Sequence, residues 1–204
     1  SNATLHYNLG LAYKLKDQLD QAVVELQNAI ALQPDLSDAH YTLGVLFWQR
    51  GEFEKSSEQL QQAIQAQPNY SEAYYTLGTV LKQEGKLPEA AAALRQALHL
   101  QPEFAGAHTT LAAVLRQLGD SAGAAEEARA AAQMTAASNN LQGATFATNS
   151  GKRMLSAGDI DGAIAQFRNA IKMADQYAPA HFQLAQALKQ QGNTQEASRE
   201  FRTL

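Results

Sequence analysis

Apolar residues recur along this chain at helical spacing, in pairs of stripes, and the pairs themselves recur. Leu9-Gly10 returns as Leu43-Gly44, as Leu77-Gly78 and, with one substitution, as Leu111-Ala112, each 34 residues on (43 − 9, 77 − 43, 111 − 77). A leucine or aromatic follows at Tyr13, Phe47, Leu81 and Leu115, and a turn residue comes next at Asp17, Gly51, Gly85 and Gly119. A second stripe then runs Ala22, Leu26, Ala29, with Ser56, Leu60, Ala63 and Ala90, Leu94, Ala97 as its equivalents. Spacings of three and four place each set on one face of a helix. The glycines suit left-handed helix ends, and Pro34, Pro68 and Pro102 stop the second helix of each unit. Each unit therefore reads as helix A, tight turn, helix B. A fixed period of this length marks a stacked-repeat solenoid, in which a unit buries its apolar face only against its neighbours.

Units align at 3–36, 37–70, 71–104 and 105–138. The fourth is irregular: its helix B is alanine-rich, with Ala124, Ala128 and Ala131 at the core sites and Ala136 where proline is expected. Without that stop the helix can run on, since alanine is the best helix former. The next turn, Gly158-Asp159, implies a unit at 144–177, and Gly192 implies a truncated one at 178–204. The step from 105 to 144 leaves Asn139-Asn140-Leu141-Gln142-Gly143 as an insertion that reads as a turn. The expectation is an all-α solenoid of about six helix-turn-helix units, with a phase defect near 136–146. Continuity through the defect is favoured, because a stack grows by nearest-neighbour packing.

These residues resemble the tetratricopeptide repeat, whose signature is W-x2-L-G-x2-Y, then A-x3-F, then A and P. The resemblance implies a right-handed superhelix whose A helices line a concave groove, with positions 2, 5, 9 and 12 of each unit pointing into it. It further implies a non-catalytic scaffold that binds a partner protein or peptide there. Carried over position by position, the partner-binding candidates are Tyr7, Lys14, Tyr41, Trp48, Tyr75, Thr79, Lys82, Thr109 and Arg116. Position 2 adds Asp38 and Glu72. Tyrosine offers area with a hydrogen-bonding tip, and the cations favour acidic side chains or a free carboxylate. The same spacing suits tyrosines that merely pack between adjacent A helices, so both roles fit. The clamp that chaperone-binding members use for a terminal carboxylate is missing. Its sites hold Tyr7, Leu11, Thr42, Glu72 and Thr76 in one frame, and Tyr41, Val45, Thr76, Gly106 and Thr110 in the next.

Composition narrows the partner classes. Of the 204 residues 45% are hydrophobic, and the formal net charge is −4. That mild acidity argues against nucleic acid or an anionic membrane as the partner. No apolar run approaches the roughly 18 to 20 residues of a membrane helix. Cysteine is absent, which rules out disulfides and thiolate chemistry but suits cytosol and extracytoplasmic compartments alike. The opening Ser1-Asn2-Ala3 reads as a tag-removal scar, and the chain as a piece of a longer polypeptide.

Neither catalysis nor a cofactor is expected, since no phosphate loop, nucleophile elbow or zinc-protease motif occurs. His6, His40, His108 and His181 each occupy position 4 of a unit. One per repeat puts them on helices about 8–10 Å or more apart, too far to share a zinc ion that needs ligand atoms within about 2.1 Å. A packing role with one ring nitrogen satisfied locally is expected instead. Leu5 and Leu9 at one end, and Phe201 and Leu204 at the other, supply apolar surface for end-to-end association of the chain. The alternative function is thus an oligomerising appendage of a longer enzyme or receptor.

Overall fold

The computed structural model describes residues 2–203, and among them no strand occurs. Eleven helices follow in order: α1 (Ala3–Leu15), α2 (Leu19–Leu32), α3 (Ser37–Gln49), α4 (Phe53–Ala66), α5 (Ser71–Gln83), α6 (Leu87–Leu100), α7 (Ala105–Gln117), α8 (Ser121–Ser156), α9 (Ile160–Met173), α10 (Ala178–Gln191) and α11 (Thr194–Glu200). The chain divides into two compact units, Ser1–Ala132 and Gln133–Leu204. Leu204 and Ser1 lie outside the described residues.

Within Ser1–Ala132 the helices pair as the sequence pattern requires, α1 with α2, α3 with α4 and α5 with α6. The turn inside each pair needs a left-handed residue, which Gly51 and Gly85 supply at φ 73° and 77°. Asp17 takes the same conformation at φ 57°, one of the few side chains that tolerate it. Pro34, Pro68 and Pro102 fall just past the ends of α2, α4 and α6.

The paired helices approach closely because of one recurring contact. A Cβ on Gly10 would lie 2.9 Å from Leu26 Cγ, one on Gly44 2.9 Å from Leu60 Cγ, and one on Gly78 2.6 Å from Leu94 Cγ. Leu26, Leu60 and Leu94 are fully buried in return. The repeated Leu-Gly dipeptide is thus a steric socket: the glycine leaves the space that the leucine 16 residues later fills (26 − 10, 60 − 44, 94 − 78). Core side chains from α2 and α3 (Ala22, Leu26, Leu43, Leu46) and from α5 to α7 (Val80, Leu94, Leu111, Val114) complete the interior.

In Gln133–Leu204 the same socket recurs as Gly151 against Phe167, with a Cβ on Gly151 falling 2.5 Å from Cε1. Phe167, Leu184 and Leu188 are buried around it with Ala163, Ile164, Ala187 and Ala197.

One expectation needs correction. Residues 139–143 form no turn; they lie inside α8, a single helix of 36 residues (Ser121–Ser156). The alanine-rich stretch carries no proline to stop it, and no backbone between Gly119 and Gly158 turns left-handed. Gly143, which reads as a turn residue, is instead a packing residue. A Cβ there would lie 2.8 Å from Met173 Sδ. The extra residues are absorbed as helix rather than as loop.

Candidate peptide-binding face

All nine predicted site residues lie within Ser1–Ala132, on α1, α3, α5 and α7. These A helices stand side by side: α3 touches α5, and α5 touches α7. The structure thereby brings Tyr41, Trp48, Tyr75, Thr79, Lys82, Thr109 and Arg116 onto neighbouring helices. Tyr7 and Lys14 belong to α1 at the edge of the series.

The tyrosines pack and stay partly accessible at once. Tyr7, Tyr41 and Tyr75 are half-buried, packing against the core while leaving part of each ring in solvent. Each of the latter two stacks on an aromatic that precedes the next A helix. Tyr41 lies 5.0 Å from Tyr70 at 37°, and Tyr75 lies 4.6 Å from Phe104 at 44°. Such pairs fix ring orientation and contribute about 0.5–1.5 kcal/mol beyond burial. Tyr70 and Phe104 were not singled out from sequence, although a signal exists: each stands two residues after the repeat proline.

Tyr70 also donates its hydroxyl to Asp38 Oδ1 at 3.1 Å. Burial, followed by the Asp38 carboxylate beside it, pushes this phenol well above its usual range. It stays a donor at any ordinary pH.

Trp48, the single tryptophan, is half-buried and donates its Nε1–H to Gln83 Oε1 at 2.8 Å. Its polar tip is therefore occupied, and what it leaves to solvent is ring surface. Thr79 and Thr109 each spend their hydroxyl proton within their own helix and keep the oxygen as an acceptor. Thr79 Oγ1 donates to the Tyr75 carbonyl at 3.0 Å and Thr109 Oγ1 to the Ala105 carbonyl at 2.9 Å, one turn back in each helix.

Lys82 is half-buried and Arg116 exposed; with Lys14 they sit in the last turns of their helices. Among the described residues none of the three forms an ion pair. By contrast, Arg50, Lys55 and Lys86 are held by Asp20, Glu52 and Glu84.

The histidines do more than fill space. Nδ1 of His6, His40, His108 and His181 meets Glu25, Gln59, Glu127 and Glu200, always 19 residues on. Nε2 of His40, His108 and His181 meets the carbonyls of Pro34, Pro102 and Asp175. In these three both ring nitrogens are taken, where one was expected, and each histidine ties helix A to helix B and to the preceding turn. Where Tyr74 replaces histidine, Ala93 replaces the acceptor (93 − 74 = 19).

Two sequence profiles of the tetratricopeptide repeat match the chain, one over residues 15–80 and 154–204, the other over 75–140. No curated protein matches it. Among solved structures, Pseudomonas aeruginosa pilF aligns over 97% of this chain and 88% of its own, with TM-score 0.59 and 21% identity. MamA aligns over 96% and 91%, with TM-score 0.54 and 18% identity. YrrB, described as a TPR protein with an unusual peptide-binding site, aligns over 99% and 84%, with TM-score 0.54 and 16% identity. At these identities the likeness concerns the fold. No helix among the described residues is long and apolar enough to cross a membrane.

Proposed function

This chain belongs to the tetratricopeptide repeat family, and we propose that it is a non-catalytic scaffold whose A-helix face in Ser1–Ala132 takes a segment of a partner protein. Tetratricopeptide repeats mediate protein–protein interaction, and a fold of this kind in YrrB carries a peptide-binding site. The observation that carries the reading is the row of half-buried aromatics, Tyr7, Tyr41, Trp48 and Tyr75, on the same helices as the cations Lys14, Lys82 and Arg116, which form no ion pair among the described residues. Rings held by stacking present area at little entropic cost, as interface anchors do. Acidic side chains or a free carboxylate would meet the cations.

The test is a binding screen of the chain against peptide libraries, repeated with Tyr41→Ala/Tyr75→Ala. Truncating two anchors should weaken capture by at least about tenfold with helical content unchanged. Undiminished capture overturns the reading.

A second reading is association between copies through the chain's ends. It is favoured by Phe182 and Phe201, which meet edge to face with centroids 6.1 Å apart while staying 40% and 42% exposed, and by Leu5 at 65%. Light scattering should then show a concentration-dependent oligomer that Phe201→Glu dissolves; a monomer at high concentration rejects it.

A further inference from the structure

We infer that the A-helix face of Ser1–Ala132 is charged oppositely along its two edges, and that its occupant is an amphipathic helix with acidic residues on one flank and basic residues on the other. The inference rests on the reading above that this face binds a partner segment.

The edge where the A helices begin carries Asp35, Asp38, Glu72 and Glu103, all exposed. No lysine or arginine occurs between Lys16 and Arg50, between Lys55 and Lys82, or between Arg95 and Arg116; His40 and His108, near the starts of α3 and α7, are held by Gln59 and Glu127. Two of these carboxylates are also held in place. Asp38 accepts from Tyr70, and Glu72 Oε2 accepts from Ser71 Oγ at 2.9 Å.

The opposite edge, where the A helices end, carries Lys14, Lys82 and Arg116 without ion-pair partners among the described residues, with the Trp48 ring in the equivalent place on α3. Between the edges run Tyr41, Tyr75 and the side chains of Val45 and Ala113, half-buried and largely apolar. A negative rim, an apolar lane and a positive rim lie in that order across α5, and across α7 with Glu103 in the turn before it; α3 adds to the negative rim alone and α1 to the positive rim alone.

The width of the lane selects the occupant. From Glu72 to Lys82 is ten residues (82 − 72), about 15 Å along α5 at 1.5 Å per residue. A helix with its side chains is about 10–12 Å across, so one lying along the lane brings a flank to each rim. An extended strand has only two faces, because successive side chains point to opposite sides, so it cannot present an apolar stripe and two charged flanks together.

Acids at helix starts and cations at helix ends also stabilise the helices themselves. Only binding preference separates the two roles. Three synthetic helical peptides about five turns long share one Leu/Phe stripe and differ in their flanks: Glu with Lys, Glu with Glu, and Lys with Lys. Each is titrated against the full chain by fluorescence anisotropy at about 0.05 M and 0.5 M salt. The mixed-flank peptide should bind about fivefold more tightly than either single-sign peptide at low salt, with the gap closing at high salt. Asp38→Lys/Glu72→Lys should move the preference to Glu/Glu flanks, and Lys82→Glu/Arg116→Glu to Lys/Lys flanks. Equal affinity for all three peptides, lost in Tyr41→Ala/Tyr75→Ala, overturns the charge inference and leaves the binding face standing. Failure of every peptide to bind, or affinities indifferent to the tyrosine pair, overturns both.

Discussion

His181 Nδ1 lies 2.6 Å from Glu200 Oε2 while its Nε2 lies 2.7 Å from the carbonyl oxygen of Asp175. Both neighbours are acceptors, so only the doubly protonated ring donates to both. Burial works to push this imidazole down. The Asp175 carbonyl and then the Glu200 carboxylate push it up, and together they prevail. One side chain thus joins the start of α10, the end of α11 and the turn before α10.

The sign of the resulting pH dependence follows from that rise. A histidine whose pKa is higher folded than unfolded contributes fully below about 6.5, and its contribution fades as pH climbs through the folded value. Urea denaturation from pH 6 to 9 should show stability falling over this window. His181→Gln should flatten that part of the profile, and NMR titration should place the imidazole above the unfolded value. A titration at or below about 6.5 rejects the prediction.

The Leu-Gly socket predicts an asymmetric mutant cycle. Gly78→Ala puts a Cβ 2.6 Å from Leu94 Cγ and should cost about 1–3 kcal/mol through overpacking. Leu94→Ala leaves a cavity and should cost about 2–5 kcal/mol. The double variant should cost clearly less than the two together, because the added methyl occupies the vacated space. The chain already holds this combination at Ala112 and Ala128 (128 − 112 = 16). Additive costs in chemical denaturation would show that the two positions do not share a site.

Ala136 occupies the place where earlier repeats stop with proline, and α8 runs through it. Ala136→Pro removes a helical hydrogen bond and clashes with the preceding turn, costing about 3 kcal/mol. Circular dichroism should show lost helix, and limited proteolysis should cut near 133–143. Wild-type resistance in the variant would mean that α8 does not depend on continuity there.

Trp48 is a built-in reporter for the A-helix face. Removing its partner with Gln83→Ala should red-shift its emission as water reaches the indole nitrogen. A bound apolar stripe should shift it to the blue. Emission unmoved by a bound mixed-flank peptide would place that peptide elsewhere.

The helix pairs were legible because Gly10, Gly44 and Gly78 mark each socket in the sequence with a dipeptide that has no other reason to repeat. The course of α8 was not. Asn139, Asn140 and Gly143 carry local turn preference, and only Met173, thirty residues beyond Gly143 (173 − 143), shows that the glycine serves a close contact within a helix. The placement of the candidate residues was legible in outline, as a ladder of tyrosines and cations on A helices. That Thr79 and Thr109 donate to the carbonyl four residues back is a matter of rotamer and leaves no mark in the sequence. The aromatics at positions 70 and 104 were in view at the repeat period, but their stacking depends on where the next helix begins.

Each socket also sets how the chain can fold. Gly10 with Leu26, Gly44 with Leu60, Gly78 with Leu94 and Gly151 with Phe167 all close a segment of the same short length, 16 residues. Closing such a segment carries a small entropic cost, and no hairpin needs a distant part of the chain to form its central contact. Folding can begin at any of these hairpins and spread to its neighbours. A chain emerging from the ribosome can therefore set its first helix pair before the second is made.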